Sequence, residues 1–350
     1  MKCVAIGDNF ITPEMMKKGI EGYSQFRFDE IQYFFFGLES RPEMRNIVKI
    51  IETGGFETLE LPEGLLDAVE DADVIMCHLC PITEKLLERT KKLKLVLCNR
   101  GGHENIDVEA CTKRNVAVFL NPSHNANAVA EFTIGLIFNE TRNISRSSIA
   151  VNNGEWREKY PNNISTEIHE MRDMTIGLIG FGSVAKLVYE KMKAFGCRFL
   201  ITDPFGNYDD INKNIAKFVP LEELLENSDV VSLHARLSRK EILLGSNEFK
   251  MMKKTAYFIN TARSYMVDYN ALAQALKNGE IMGAAIDVFD KEPIEPDNPL
   301  LRLDNCTLTN HRGGDTINSY SDSPAMMMKE AQKFFEGDTP KFWLNPSVKR

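Results

Sequence analysis

"TIGLIGFGSVAKLVYEKM", Thr175–Met192, is the stretch that decides how this chain is read. An apolar run leads directly into Gly180-x-Gly182-x-x-Ala185. An amphipathic segment follows, in which Val184, Leu187, Val188 and Met192 share one side at helical spacing. The pattern is strand, turn, helix. Glycine at 180 permits a tight turn, and glycine at 182 lets the backbone approach a pyrophosphate, whose charge the helix amino terminus favours through its unbonded N–H groups. The third position requires only a small side chain, which Ala185 supplies. Asp203 closes the next apolar run, RFLITD, about 20 residues on, where a carboxylate accepts hydrogen bonds from ribose hydroxyls. It repels a 2′-phosphate, so the spacing predicts NAD rather than NADP. The competing reading, that Asp203 merely opens the turn with Pro204 and Phe205, explains less of the pattern.

Working outward, short apolar runs alternate with amphipathic segments from end to end, which predicts an α/β protein with parallel strands. Strands are expected at CVAIG, YFFFG, DVIMCH, LKLVLCN, TIGLIG, RFLITD, DVVSLH, AYFIN, MGAAID and CTLTN, and helices at Glu43–Ile51 and Leu221–Asn227. A faint repeat, DADVIMCHLCPIT at 71–83 against NSDVVSLHARLS at 227–238, suggests two domains of related architecture. A chain of 350 residues also exceeds what one core usually organises. Val129, Thr133, Ile134, Ile137 and Phe138 predict one long helix bridging the halves, followed by a polar surface excursion at 151–165. The tail reads as a helix stopped at Gly337, with its methionines and the YFFFG aromatics packed inside.

The bulk composition excludes several classes of function. A formal charge of −8 without a long basic run argues against nucleic acid as a partner. No apolar run reaches the roughly 18 residues needed to cross a bilayer, and the amino terminus lacks a secretory pattern, so a cytoplasmic protein is expected. Seven cysteines, an odd number, do not form a disulfide framework; the isolated Cys77-x-x-Cys80 pair reads as structural thiols, and no metal site is expected.

Downstream, Arg263 in FINTARSYMVDYNAL, Asp287 and Glu292 in GAAIDVFDKEPIEP, and His311 in TLTNHRGGD each follow an apolar run. Each should therefore project from the carboxyl edge of a parallel sheet, where ligands bind. Together with NRGGHENIDVEA, NPSHNANAVAEFT, GLIGFGSVAK, DVVSLH and NTAR, in this order and spacing, these stretches resemble the D-isomer-specific 2-hydroxyacid dehydrogenase family over about Asp71 to Gly314. The resemblance implies that Arg263 holds the substrate carboxylate and carbonyl oxygen, that His311 is the acid/base, and that Glu292 orients it. It further implies that the backbone of Gly101 and Gly102 receives the carboxylate and that His78 faces substrate. Ser183, Val184, His234, Ala235, Thr261, Ala262, Asp287 and Gly314 join Gly180, Gly182 and Asp203 at cofactor positions. His103 and His124 lie in loops of the same region, whereas nothing marks His169.

The same resemblance implies a flavodoxin-like substrate domain, residues 1–121 with 315–350, and a Rossmann NAD-binding domain, residues 122–314, with a cleft between them, in a homodimer. The expected reaction interconverts a D-2-hydroxy acid and its 2-oxo acid by hydride transfer, and reduction should slow as alkali removes the proton of His311. Retention of Arg263, Glu292 and His311 favours an enzyme over the alternative, an NAD(H)-sensing scaffold or co-repressor of the same fold. Four residues depart from the commonest pattern: Arg236, Ser264, Asn310 and Arg312. Arg312, with His78 and Arg100, suggests a polyhydroxylated or phosphorylated acid.

Overall fold

The computed structural model describes every residue except Glu39, residues 161–167 and 207–210, Ser238 and Arg350. The chain divides into two compact units, Met1–Asn125 with Thr316–Arg350, and Ala126–Asp315.

In the first unit, strands β1 (Lys2–Gly7), β2 (Glu30–Phe35), β3 (Val74–Cys77), β4 (Leu95–Cys98) and β5 (Ala117–Phe119) form a sheet of order β2-β1-β3-β4-β5. Each pairing is parallel, in the flavodoxin-like order expected of the family. Successive residues of β1, β3, β4 and β5 alternate between two cores. Val4, Ile75, Val96 and Val118 face one core, and Ala5, Met76, Leu97 and Phe119 the other. Both faces are therefore covered, which is why these strands read as continuous apolar runs. The second face is sealed by the helix Ser323–Glu336 through Met327, Met328, Ala331 and Phe334. The chain's last segment thus completes its first unit, and it also caps the β5 edge, where Asn345 Oδ1 accepts the Val118 N–H at 2.9 Å.

In the second unit, β6 (Thr175–Ile179), β7 (Arg198–Thr202), β8 (Ala216–Phe218), β9 (Val230–Leu233), β10 (Tyr257–Asn260), β11 (Gly283–Ile286) and β12 (Cys306–Leu308) run β12-β11-β10-β9-β6-β7-β8, again parallel throughout. This is a doubly wound sheet with its strand-order reversal at β6. The sequence repeat has a structural counterpart. His78 follows β3 and His234 follows β9, and each of these strands lies beside the first strand of its own sheet.

Several local expectations need correction. YFFFG is not a buried strand: β2 starts three residues earlier, lies at a sheet edge, and leaves Phe35 exposed. β5 and β8 were not among the expected strands: β5 lies in the apolar run Val116–Leu120, which was passed over, whereas Lys217 interrupts β8. The long helix, Ala126–Arg142, belongs wholly to the second unit rather than bridging the two, and a separate helix, Ile144–Asn152, follows it after Asn143 turns left-handed (φ 52°). Met326 is exposed, whereas Met327 and Met328 are core. The excursion at 151–165 is described only to Tyr160, and Trp156 within it is 85% exposed. The final helix does stop at Gly337, whose φ of 90° suits glycine.

Candidate active site

The fingerprint turn is built as its residues dictate. Gly180 has φ 87°, and a Cβ there would lie 2.6 Å from the Ala235 nitrogen and 2.7 Å from its Cα, so the glycine meets both a conformational and a steric demand. Gly182 differs: its backbone is extended (φ −80°, ψ −161°), and a Cβ would meet nothing within 4 Å. It caps the helix Ser183–Met192, which has no side-chain cap. Ala185 is fully buried with Val188, Tyr189 and Met192, a face rotated slightly from the expected one, while Val184 and Leu187 are half-buried.

Asp203 follows β7 and serves the protein twice. Oδ2 accepts the Phe181 N–H at 2.7 Å, fixing the glycine loop, and Oδ1 accepts the Phe205 N–H at 2.8 Å, which is the turn of the competing reading. Open space at Gly182, an uncapped helix start beside it and a carboxylate at the next strand end fit a dinucleotide with free ribose hydroxyls.

Along the carboxyl edge of this sheet, adjacent strands, about 4.8 Å apart, present the remaining candidates in order. His311 follows β12, Asp287 and Glu292 follow β11, Arg263 follows β10, and His234 follows β9. His311 Nδ1 lies 3.0 and 2.9 Å from the two oxygens of Glu292, and Glu292 Oε1 also accepts the Phe289 N–H at 3.1 Å. A carboxylate at Nδ1 places a proton there and leaves Nε2 to exchange one. His311 adopts φ 54°, a left-handed conformation uncommon outside glycine though one histidine takes more readily than most, and the neighbouring backbone is held by side-chain hydrogen bonds. Buried Asp287 accepts from Arg312 N (2.9 Å) and Thr309 Oγ1 (2.7 Å) on one oxygen, and from Gly313 N (2.9 Å) on the other. This loop-clamping use of Asp287 was invisible in the sequence, where only its place after a strand could be read.

Arg263 is exposed, and its turn is stapled from beneath by buried Asn260, whose amide donates to the Arg263 carbonyl (3.1 Å) and whose Oδ1 accepts from Ala262 N (3.0 Å). Its Nη1 donates to the Ala262 carbonyl at 2.7 Å. Thr261 is tied through its hydroxyl to Thr133 at 2.8 Å. His234 Nε2 lies 2.9 Å from Ser232 Oγ, and burial pushes its pKa down to about 4, so the ring is neutral at pH 7. Gly314 is half-buried in the loop after His311, and Ser264 opens a single 3-10 turn. Arg236 is exposed, while Arg312 pairs with Asp315 at 2.9 Å.

In the first unit, His78, Gly101 and Gly102 lie just beyond β3 and β4 at the carboxyl edge of that sheet. Sequence reasoning missed the partner of His78. Asp8, fully buried at the end of β1, meets His78 Nδ1 at 2.8 Å and accepts backbone N–H groups from Phe10 (2.8 Å), Ile11 (3.0 Å) and Leu79 (3.2 Å). Its position one residue past an apolar run, like that of Asp287, was the available signal. Phe10 and Tyr320 meet the imidazole edge-on. His103 is exposed and His169 lies apart, in a small pocket with Phe138, Arg142 and Phe195. Among the described residues no helix is long and apolar enough to cross a membrane.

Residues 134–313 match the family described as D-isomer specific 2-hydroxyacid dehydrogenase, NAD binding domain. The glyoxylate reductase of Korarchaeum cryptofilum is 33% identical over 286 residues, 81% of this chain and 86% of that protein. The D-3-phosphoglycerate dehydrogenase of Methanocaldococcus jannaschii is 33% identical over 319 residues, 88% of this chain and 59% of that longer protein. In fold, the chain is similar to the NAD complexed form of a D-isomer specific 2-hydroxyacid dehydrogenase from Lactobacillus delbrueckii ssp. bulgaricus, with TM-score 0.75 at 23% identity, covering 99% of this chain and 100% of that one.

Proposed function

This chain belongs to the D-isomer specific 2-hydroxyacid dehydrogenase family, and we propose that it reduces a 2-oxo acid to the D-2-hydroxy acid, and the reverse, with Arg263, Glu292 and His311 as its catalytic residues. NAD supplies or accepts the hydride when bound, held by the turn at Gly180 and Gly182, the helix start at Ser183 and Val184, and Asp203. The observation that carries the reading is the His311–Glu292 contact of 2.9 Å at a sheet edge shared with Arg263. As the carbonyl carbon is reduced, negative charge grows on its oxygen. The guanidinium of Arg263 stabilises that charge through its planar fork, and His311 delivers a proton from Nε2 while Glu292 holds the imidazolium. Asp287, Asn260 and Thr309 act through these groups as positioning residues. The backbone of Gly101 and Gly102 receives the substrate carboxylate, and His78 faces substrate.

The first unit is accordingly the substrate domain and the second the cofactor domain. A homodimer is supported by the apolar side chains that the segment after the long helix exposes, Ile144, Ile149, Val151 and Trp156. A cytoplasmic location suits a protein whose seven cysteines are free thiols.

The test is NADH oxidation against a panel of 2-oxo acids, with His311→Gln beside the parent protein. Loss of the proton donor should lower kcat by about 10²–10⁴-fold while NADH affinity stays within twofold. Tight NADH binding without turnover of any acid would instead support an NAD(H)-sensing scaffold.

A further inference from the structure

The parallel ladder between β10 and β11 pairs Asn260 with Ile286 at its carboxyl end, and the Asp287 N–H adds one more rung, to the Asn260 carbonyl at 3.0 Å. Beyond that rung each segment leaves its strand. One turns through Thr261 and Ala262 to Arg263; the other runs from Asp287 through Val288 to Glu292. The reaction proposed above needs both at a single carbonyl group, Arg263 for the charge on its oxygen and His311, held by Glu292, for the proton. A side chain joins the two segments where the ladder ends. Tyr269, the first residue of the helix Tyr269–Lys277, donates its hydroxyl to the Val288 carbonyl at 2.6 Å and accepts the Asn260 side-chain amide at 3.2 Å.

The connection continues on both sides. The same Asn260 amide donates to the Arg263 carbonyl, and its Oδ1 accepts from Ala262 N. Val288 adjoins Asp287, whose carboxylate clamps Thr309, Arg312 and Gly313 around His311. One hydroxyl therefore links the turn that presents Arg263 to the loop that presents the His311–Glu292 pair. It is itself well anchored. Asp268 caps the helix by accepting the N–H groups of Asn270 and Ala271 at 2.9 and 3.0 Å, and the Tyr269 ring, 8% exposed, meets Phe289 edge-on. Burial raises its pKa above that of an ordinary phenol, so the hydroxyl keeps the proton it donates to Val288. The ring lies in an apolar core that phenylalanine would fill as well, so the hydroxyl's work is in its two bonds.

We infer that Tyr269 is a positioning residue whose hydroxyl sets the Arg263 turn against the loop of Glu292 and His311, so that guanidinium and imidazole reach the same carbonyl group. This rests on the dehydrogenase reading proposed above and adds to it a residue that acts through other groups, all of them in the second unit.

The test is Tyr269→Phe in the full chain, which keeps the ring against Phe289 and removes only the two hydrogen bonds; circular dichroism should show the parental fold. With the 2-oxo acid that the parent reduces best, kcat should fall about 10- to 100-fold. KM for the acid and Kd for NADH should stay within about twofold, because alignment of donor and guanidinium matters in the transition state rather than in ground-state binding. Hydrogen–deuterium exchange, read without turnover, should quicken in peptides covering residues 261–266 and 287–293 and remain parental in the other strands of the sheet. A kcat within about threefold of the parent's, or parental exchange in both peptides, overturns the inference and leaves the dehydrogenase reading intact. A tenfold rise in KM or Kd alongside the loss of kcat also overturns it, because Tyr269 would then support the site's folding as a whole. A parent protein that turns over no 2-oxo acid removes the dehydrogenase reading itself, and this inference with it.

Discussion

Alanine at Gly180 and alanine at Gly182 should separate the structural from the cofactor role of the fingerprint turn. At Gly180 the backbone is left-handed, which costs an L-residue roughly 1–2 kcal/mol. The new Cβ would also lie 2.6 Å from the backbone nitrogen of Ala235, which cannot rotate away as a side-chain tip would. Overpacking of this kind costs about 1–3 kcal/mol, so Gly180→Ala should lose about 2–5 kcal/mol of stability in urea unfolding followed by circular dichroism. At Gly182 the conformation is open to any residue and the added methyl meets nothing. Two small effects oppose each other there: a stiffer unfolded chain stabilises by about 0.4–1 kcal/mol, and a poorer helix N-cap costs a similar amount. Stability should therefore change by less than about 1 kcal/mol. The methyl does occupy the space in which a pyrophosphate must approach the backbone, so NADH affinity, read by nucleotide fluorescence, should fall at least tenfold, about 1.4 kcal/mol. Gly182→Ala unfolding as easily as Gly180→Ala, or binding NADH with the parental Kd, would contradict this separation of roles.

Two further outcomes follow from the same coordinates. The partly exposed imidazole of His234 has a pKa lowered by desolvation to about 4, below its unfolded value of about 6.5, so its contribution is complete above about pH 6.5 and is lost as pH falls through about 4. The difference amounts to about 3 kcal/mol, and His234→Gln should flatten the stability profile over that window; an unchanged acid limb would show that other groups carry it. If the proposed homodimer forms through this face, Ile149→Asp with Trp156→Asp should convert it to monomers in sedimentation velocity, since both side chains are exposed and apolar; a monomeric parent protein, or a dimer left unaltered, would refute that placement.

The architecture was legible because parallel strands buried on both faces have to be largely apolar, as β3, β4 and β11 are. β8 was not legible, because Lys217 breaks its short run and it pairs only with β7; β5 lies in the apolar run Val116–Leu120 and was legible but passed over. The strand-end position of His311, Arg263 and Asp203 could be read for the same reason: a charged residue after an apolar run has to emerge at the sheet edge. What the sequence withheld was orientation. The carboxylates of Asp8 and Asp287 each close hydrogen bonds to loops distant in the chain, His78 at 70 residues in one case and Gly313 at 26 in the other. Such partners are fixed by the register of the sheet, which single-sequence spacing does not encode.

The two histidine–carboxylate pairs suit different work on physical grounds. His311 and Glu292 have side chains 52% and 41% exposed, whereas those of His78 and Asp8 are 9% and 1% exposed. A general acid gives up its proton at each turnover and has to regain it, which water at an open imidazole allows. Asp8 is saturated by three backbone donors besides His78, and Phe10 and Tyr320 flank the ring, so that imidazole is held in a single orientation. A histidine so enclosed presents Nε2 at a fixed point, which is what recognition requires. On the proposed reading, exposure suits His311 to proton transfer and His78 to holding one fixed orientation.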